Sequence, residues 1–307
     1  MAAQPGLTEV NAHSLRRVLC DQIDEVTQLL RARRVTDANI HSARRTLKKA
    51  RATLRLLRAA MPAKVFEHEN AALRDVARPL GAARDAKVLL DCLDRVAKLY
   101  GGPGKHSVPV AFRRQLAHER AASRRAVKRR YPERAGPIRE LRTSHRNILT
   151  VRIRAEGWEE IGGGLARVYR SGRKSMKKAR KTRSPERLHE WRKQAKYLWH
   201  QLQLLGPMAP GPIGALADRM SKLSDYLGDD HDLAVLREKV TAHADKFPAP
   251  GGPAALLALI DRCQDRLRAR AFVAGRRIHE DTPTAFTKRF ARYWQRWNKQ
   301  RRQRPDS

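Results

Sequence analysis

The chain has 307 residues, 66 of them Lys or Arg and 31 Asp or Glu, for a formal net charge of +35. A chain so basic repels itself and favours polyanions, so composition predicts a nucleic acid, an anionic membrane or polymeric phosphate as partner. Hydrophobic residues at 41% exclude a disordered basic tail, and three scattered cysteines, Cys20, Cys92 and Cys263, without a C-x-x-C pair argue against a disulfide framework or zinc ribbon and for a reducing cytoplasm.

From Met1 to Val10 no basic stretch precedes an apolar one, and nowhere do about 18 uninterrupted apolar residues occur, so an unexported protein without a membrane span is expected. Apolar residues recur at helical spacing throughout, and alternating β-branched runs are absent, which predicts an all-α chain. In order, helices are expected at 8–33, 37–60, 66–99 with a break near Pro79, and 110–130. A joining helix follows at 138–155. The second half then gives 158–180, 185–206, 213–245 and 254–278, and an aromatic helix over 284–302 carries Phe286, Phe290, Tyr293, Trp294 and Trp297. Ser184 and Pro185 suit the N-cap and first position of the 185–206 helix. This divides the chain into a first four-helix bundle at 8–130, a connector at 131–157, a second bundle at 158–280 and a basic C-terminal helix and tail at 281–307.

Two motifs recur at nearly one offset. H-x-x-R-[RK]-x-x-K reads His41, Arg44, Arg45, Lys48 and again His189, Arg192, Lys193, Lys196, 148 residues later (189 − 41). L-G-x-x-x-D-x-x-V-L reads Leu80, Gly81, Asp85, Val88, Leu89 and then Leu227, Gly228, Asp232, Val235, Leu236, an offset of 147 (227 − 80). Such repetition predicts a duplicated supersecondary unit.

On the first motif helix, Ile40, Ala43, Leu47, Ala50, Leu54 and Leu57 form the stripe a bundle buries. The neighbouring stripe, about 100° around the helix, holds His41, Arg44, Lys48, Arg51, Arg55 and Arg58. In the second copy the apolar stripe is Leu188, Trp191, Ala195, Leu198, Leu202 and Leu205, and its neighbour is His189, Arg192, Lys196, Trp199 and Gln203. A solvated helix face alternates lysines with carboxylates, and residues 40–60 hold none, so like charges there repel by a few tenths of a kcal/mol per pair. A dedicated anion site accounts for that cost better than a solvated face does.

A metal at His41 or His189 fits poorly, because arginine and lysine occupy the positions one and two turns away, where further ligands would have to stand. Asp85 and Asp232 are read as carboxylates that hold the motif cations in place; His231 could face the same groove or serve capping or packing. No nucleophile motif, phosphate loop, E-x-E-x-K array or acidic metal cluster appears, so neither an enzyme nor a cofactor is expected.

The paired motif helices, the L-G-A-A-R-D-A-K-V-L-L and L-G-D-D-H-D-L-A-V-L segments and Tyr169-Arg-Ser-Gly-Arg-Lys resemble the CHAD domain, the conserved histidine α-helical domain, over roughly 8–280. That resemblance implies two pseudo-symmetric four-helix bundles with a basic channel between them that binds inorganic polyphosphate, often on polyphosphate granules. The binding residues it implies are His41, Arg44, Arg45, Lys48 and Arg51, then His189, Arg192, Lys193 and Lys196, with Arg170, Arg173, Lys174 and Lys177 from the accompanying basic helix. Trp199 and Gln203, standing where the first copy has arginines, imply a less charged second half of the channel. The expected protein is a cytoplasmic, stand-alone binding module with weak non-specific nucleic-acid binding; the rival reading is a nucleic-acid-binding or nucleoid-associated protein. Single-strand binders pair basic grooves with aromatic platforms, and aromatics are only 6% of this chain.

Overall fold

The computed structural model describes residues 9–33, 36–80, 89–96, 98, 110–130, 134–153, 157–247 and 252–303. It is all-α, with no strand among the described residues. The helices are α1 Ala12–Arg31, α2 Asp37–Leu56, α3 Ala63–Ala77, α4 Val110–Arg130, α5 Ala135–Thr150, α6 Trp158–Thr182, α7 Pro185–Leu205, α8 Pro210–Ala242, α9 Gly252–Ile278 and α10 Pro283–Arg302, and residues 89–96 are also helical. Local chemistry fixes several starts. Asn11 and Thr36 form reciprocal capping boxes with Ser14 and Asn39, while Ser184 and Thr282 cap α7 and α10 ahead of a first-turn proline. Arg183, at φ 50°, makes the tight left-handed link that folds α7 back along α6.

Both apolar stripes of the motif helices are buried along their whole length. On one side α2 packs with α1 and α3; on the other α7 packs with α6 and α8, and α2 also touches α6 and α7. One continuous core results, running from Leu15 and Leu47 through Tyr169 and Trp191 to Phe290. The two sides approach most closely at Gly164, where a Cβ would stand 2.1 Å from the Leu56 carbonyl oxygen. Nearby, Gln201 Nε2 donates to the Ala52 carbonyl at 3.1 Å.

The fourth partner of α1, α2 and α3 differs from the expected one. Residues 131–157 were read as a connector and 110–130 as the fourth helix of the first bundle, but α5 packs on α1 and α3. It does so because Ile138, Leu141, Ser144 and Ile148 form a narrow stripe that seats there. Asn147 Nδ2 donates to Glu69 at 2.9 Å, and Arg16 of α1 reaches the Leu149 carbonyl at 3.2 Å. Helix α4 offers few apolar anchors, Phe112 and Leu116 near its start, and these enter a second core. That core joins Leu93 and Val96 to Leu236 and Val240 of α8 and Ile260 of α9. At 33 residues, about 50 Å, α8 is long enough to serve both cores. The C-terminal helix packs on α6 and reaches the start of the described chain: Phe286 stacks on Tyr169 at 3.9 Å, and Trp294 Nε1 donates to the Val10 carbonyl at 2.7 Å.

Gly164→Ala is therefore expected to force α6 off α2 and destabilise the protein by at least about 2 kcal/mol, read as a lower urea midpoint. Gly214→Ala, with open space around its Cβ in α8, is expected to change stability in the opposite direction by about 0.5–1 kcal/mol.

Candidate anion-binding cleft

Three helices and the residue that ends α3 surround a cleft of about 420 Å³. From α2 come Arg44, Lys48 and Arg51, from α7 His189, Arg192, Lys193, Lys196, Tyr197 and His200, and from α8 His231 and Asp232, while Arg74 and Arg78 enter from the end of α3. Among the described residues, eight arginines and lysines thus face one carboxylate, and the lining holds no Ser, Thr or Cys and no carboxylate pair. Among the described residues no group of three or more His, Cys, Asp or Glu could hold a metal ion, and no helix is long and apolar enough to cross a membrane.

Arg51 in the lining, and Arg55 one turn beyond it on α2, are held in place by neutral groups. Arg55 lies over the Tyr197 ring at 4.1 Å, with Arg51 at 5.8 Å from the same centroid. Asn70 Oδ1 accepts from Arg55 Nη1 at 2.6 Å and from Arg51 Nε at 3.3 Å. A ring face and an amide oxygen orient guanidinium groups without cancelling their charge. Trp199 acts in the same way: the Lys196 ammonium stands 4.8 Å from its ring, so the residue expected to weaken the channel supports one of its cations. Lys193 does meet a carboxylate, Glu190.

The two sequence motifs meet here. The Arg192 guanidinium lies 3.6 Å from where a Cβ of Gly228 would stand, and the His189 and His231 rings are 4.6 Å apart. Burial, then His231, Arg192 and Lys193, push the His189 imidazole down to about 4, and its Nδ1 is buried without a hydrogen-bond partner within the protein. Burial likewise pushes His200 down to about 4. Next to the cleft, buried Asp230 accepts from Arg268 Nε at 2.7 Å and from Gln264 Nε2 at 3.2 Å, tying this part of α8 to α9.

Of the residues implied by the resemblance, Arg44, Lys48, Arg51, His189, Arg192, Lys193, Lys196 and Asp232 line the cleft. His41 and Arg45, both exposed on α2, are outside the lining, with His41 one turn before Arg44. Arg170, Arg173, Lys174 and Lys177 on α6 are also outside it. Asp85 lies outside the described residues. Arg74, Arg78, Tyr197 and His200 were missed. The i,i+4 pair Arg74 and Arg78 just before Leu80-Gly81 was a signal for the first two, whereas Tyr197 and His200 carry no motif.

The profile of the CHAD domain matches residues 17–241. The chain therefore belongs to the CHAD domain family, which is associated with polyphosphate binding. Its fold is similar to that of PptA from Streptomyces chartreusis, with a TM-score of 0.58 at 14% identity over 93% of this chain and 99% of that one. It is also similar to the CHAD domain from the plant Ricinus communis, with a TM-score of 0.60 at 16% identity over 91% and 96% of the two chains. No curated protein matches the sequence.

Native His189 and His200 titrate near 4, below the ordinary 6.5 of an unfolded imidazole. The unfolded chain therefore binds protons that the native one refuses. Stability is expected to be full above about pH 6.5 and to fall as the pH drops toward 4. Thermal midpoints across this window should flatten in His189→Gln with His200→Gln, and an unchanged pH slope would show that these imidazoles are not buried neutral.

Proposed function

We propose that this protein binds inorganic polyphosphate in the cleft between α2 and α7, as a stand-alone binding module and not an enzyme, and that it resides on polyphosphate granules in the cytoplasm. The observation that carries this reading is the convergence, among the described residues, of eight cations from α2, α7 and the end of α3 on one cleft with a single carboxylate. Such a concentration of like charge is unfavourable until an anion fills it, and a flexible polyanion supplies many phosphate oxygens while releasing its condensed counterions. Arginines held by Asn70 and Tyr197 can offer planar, bidentate contacts, and lysines adaptable point charges. A lining that, among the described residues, holds no Ser, Thr or Cys and no paired carboxylates suits retention of the chain over its hydrolysis.

Replacing His189, Arg192, Lys193 and Lys196 with Gln is expected to weaken polyphosphate binding at least tenfold more than replacing Arg296, Lys299, Arg301 and Arg302, although the tail variant loses four formal charges and the cleft variant three. Equal losses by calorimetry would mean diffuse attraction in place of a site.

Proton linkage gives an independent check. A bound polyanion favours the protonated form of His189, so binding takes up protons and affinity is expected to rise as the pH falls below 7. His189→Gln should reduce that slope at constant ionic strength; a slope it leaves unaltered would assign the dependence to other groups.

A further inference from the structure

The residues that left the cleft define a different surface. From Ile161 to Thr182, α6 contains eight Lys or Arg and no Asp or Glu, and all of α10 contains seven and none. The two helices pack against each other. Along α6 the exposed cations Arg167, Arg170, Lys174 and Lys178 fall on one side, and along α10 Lys288, Arg292, Arg296 and Lys299 do the same. Arg170 and Lys288 line a shallow groove between the helices together with Trp158, Ala166, Pro283, Thr284, Thr287 and Ala291. On α10 the partnered cations are Arg289, which pairs with Asp281, and Arg301, which approaches Glu9 and Trp297. No ion pair joins the other cations of these two faces to a carboxylate among the described residues.

We propose that the α6–α10 face is a second polyanion surface, whose partner is double-helical nucleic acid bound through its phosphate backbone. Two rows of cations, each spanning about 17 Å along its helix, stand on an open face. A stiff rod with charges on its outside can lie along such a face without being enclosed. A flexible single polyphosphate chain gains more in the cleft, where cations converge from several sides. An anionic membrane fits less well, because among the described residues the large exposed hydrophobic side chains, Val110, Leu149 and Val273, are all on other helices. Single strands need exposed stacking rings, but Phe286 and Phe290 are buried, and Tyr293, Trp294, Trp297 and the Trp158 ring at the groove pack on the core. Thr284 can donate its hydroxyl to phosphate between the two rows of cations. The surface and the cleft would then let one molecule hold a nucleic acid and polyphosphate together.

The test is fluorescence anisotropy of the full chain with a 24-base-pair duplex, without polyphosphate, at several salt concentrations. Changing Arg167, Arg170, Lys174, Lys288, Arg292 and Arg296 to Gln is expected to cost at least tenfold more duplex affinity than the same change at Arg17, Lys64, Arg114, Arg139, Arg142 and Arg266, which lowers net charge equally. The log–log salt slope should also shrink by several units, about one per lost phosphate contact. In the unaltered protein, duplex is expected to protect Lys174, Lys288 and Lys299 from acetylation more than Lys193 and Lys196, which keeps the test decisive if the variant misfolds. Equal losses from both six-site variants, stronger protection in the cleft, or preference for anionic vesicles or single strands over duplex would each overturn the proposal and leave the cleft reading unaffected.

Discussion

Mutual repulsion of cations is the constraint on which this structure turns. Arg44, Lys48, Arg51, Arg74, Arg78, Arg192, Lys193 and Lys196 cannot gather around one cleft unless something else holds their helices together. The opposing term is the shared apolar core, in which every residue of both motif-helix stripes is buried. The close seat of α6 on the end of α2 at Gly164, and the Gln201 to Ala52 hydrogen bond, keep the two walls from separating. Burial of apolar stripes at roughly 25 cal/mol per Å² is non-directional and scales with area, so it can outweigh an electrostatic penalty of a few tenths of a kcal/mol per exposed pair.

Within the cleft, neutral polar and aromatic groups manage the charge. Carboxylates would orient arginines equally well but would neutralise them and occupy the sites meant for an anion. Asn70, Tyr197 and Trp199 orient Arg51, Arg55 and Lys196 and leave their charge available. The exceptions, Glu190 beside Lys193 and Asp232 in the wall, show that the arrangement is a balance and not a pure cation pocket. His189, its Nδ1 buried and its imidazole kept neutral by burial and then by the charged groups around it, adds a donor without adding charge until the surroundings change.

The second core, where Phe112, Leu116 and Val96 meet Leu236, Val240 and Ile260, makes α8 a common beam. His231 and Asp232 reach the cleft from the C-terminal half of α8, directly before Leu233, Leu236 and Val240, which enter the second core. The Asp230–Arg268 pair ties that same stretch to α9. A hydrogen-bonded ion pair so deeply buried contributes less to net stability than to a fixed position, because desolvation offsets most of its attraction.

The amino-acid pattern by itself determined the helices, the buried stripe of each motif helix and the row of cations beside it, since all of these follow from the 3.6-residue period within a single element. Ser184-Pro185 and the stripe from Ile40 to Leu57 are local statements, and the structure bears them out. Tertiary structure alone decided which helices share a bundle and which cations share a space. It took α5 into the first bundle and sent α4 to the second core. It brought Arg74, Arg78 and Tyr197 to the cleft and turned Arg170 and Lys174 away from it. A period gives the angle of a side chain about its own axis, but the direction it faces in space depends on how that helix is rotated and seated against partners far away in the chain.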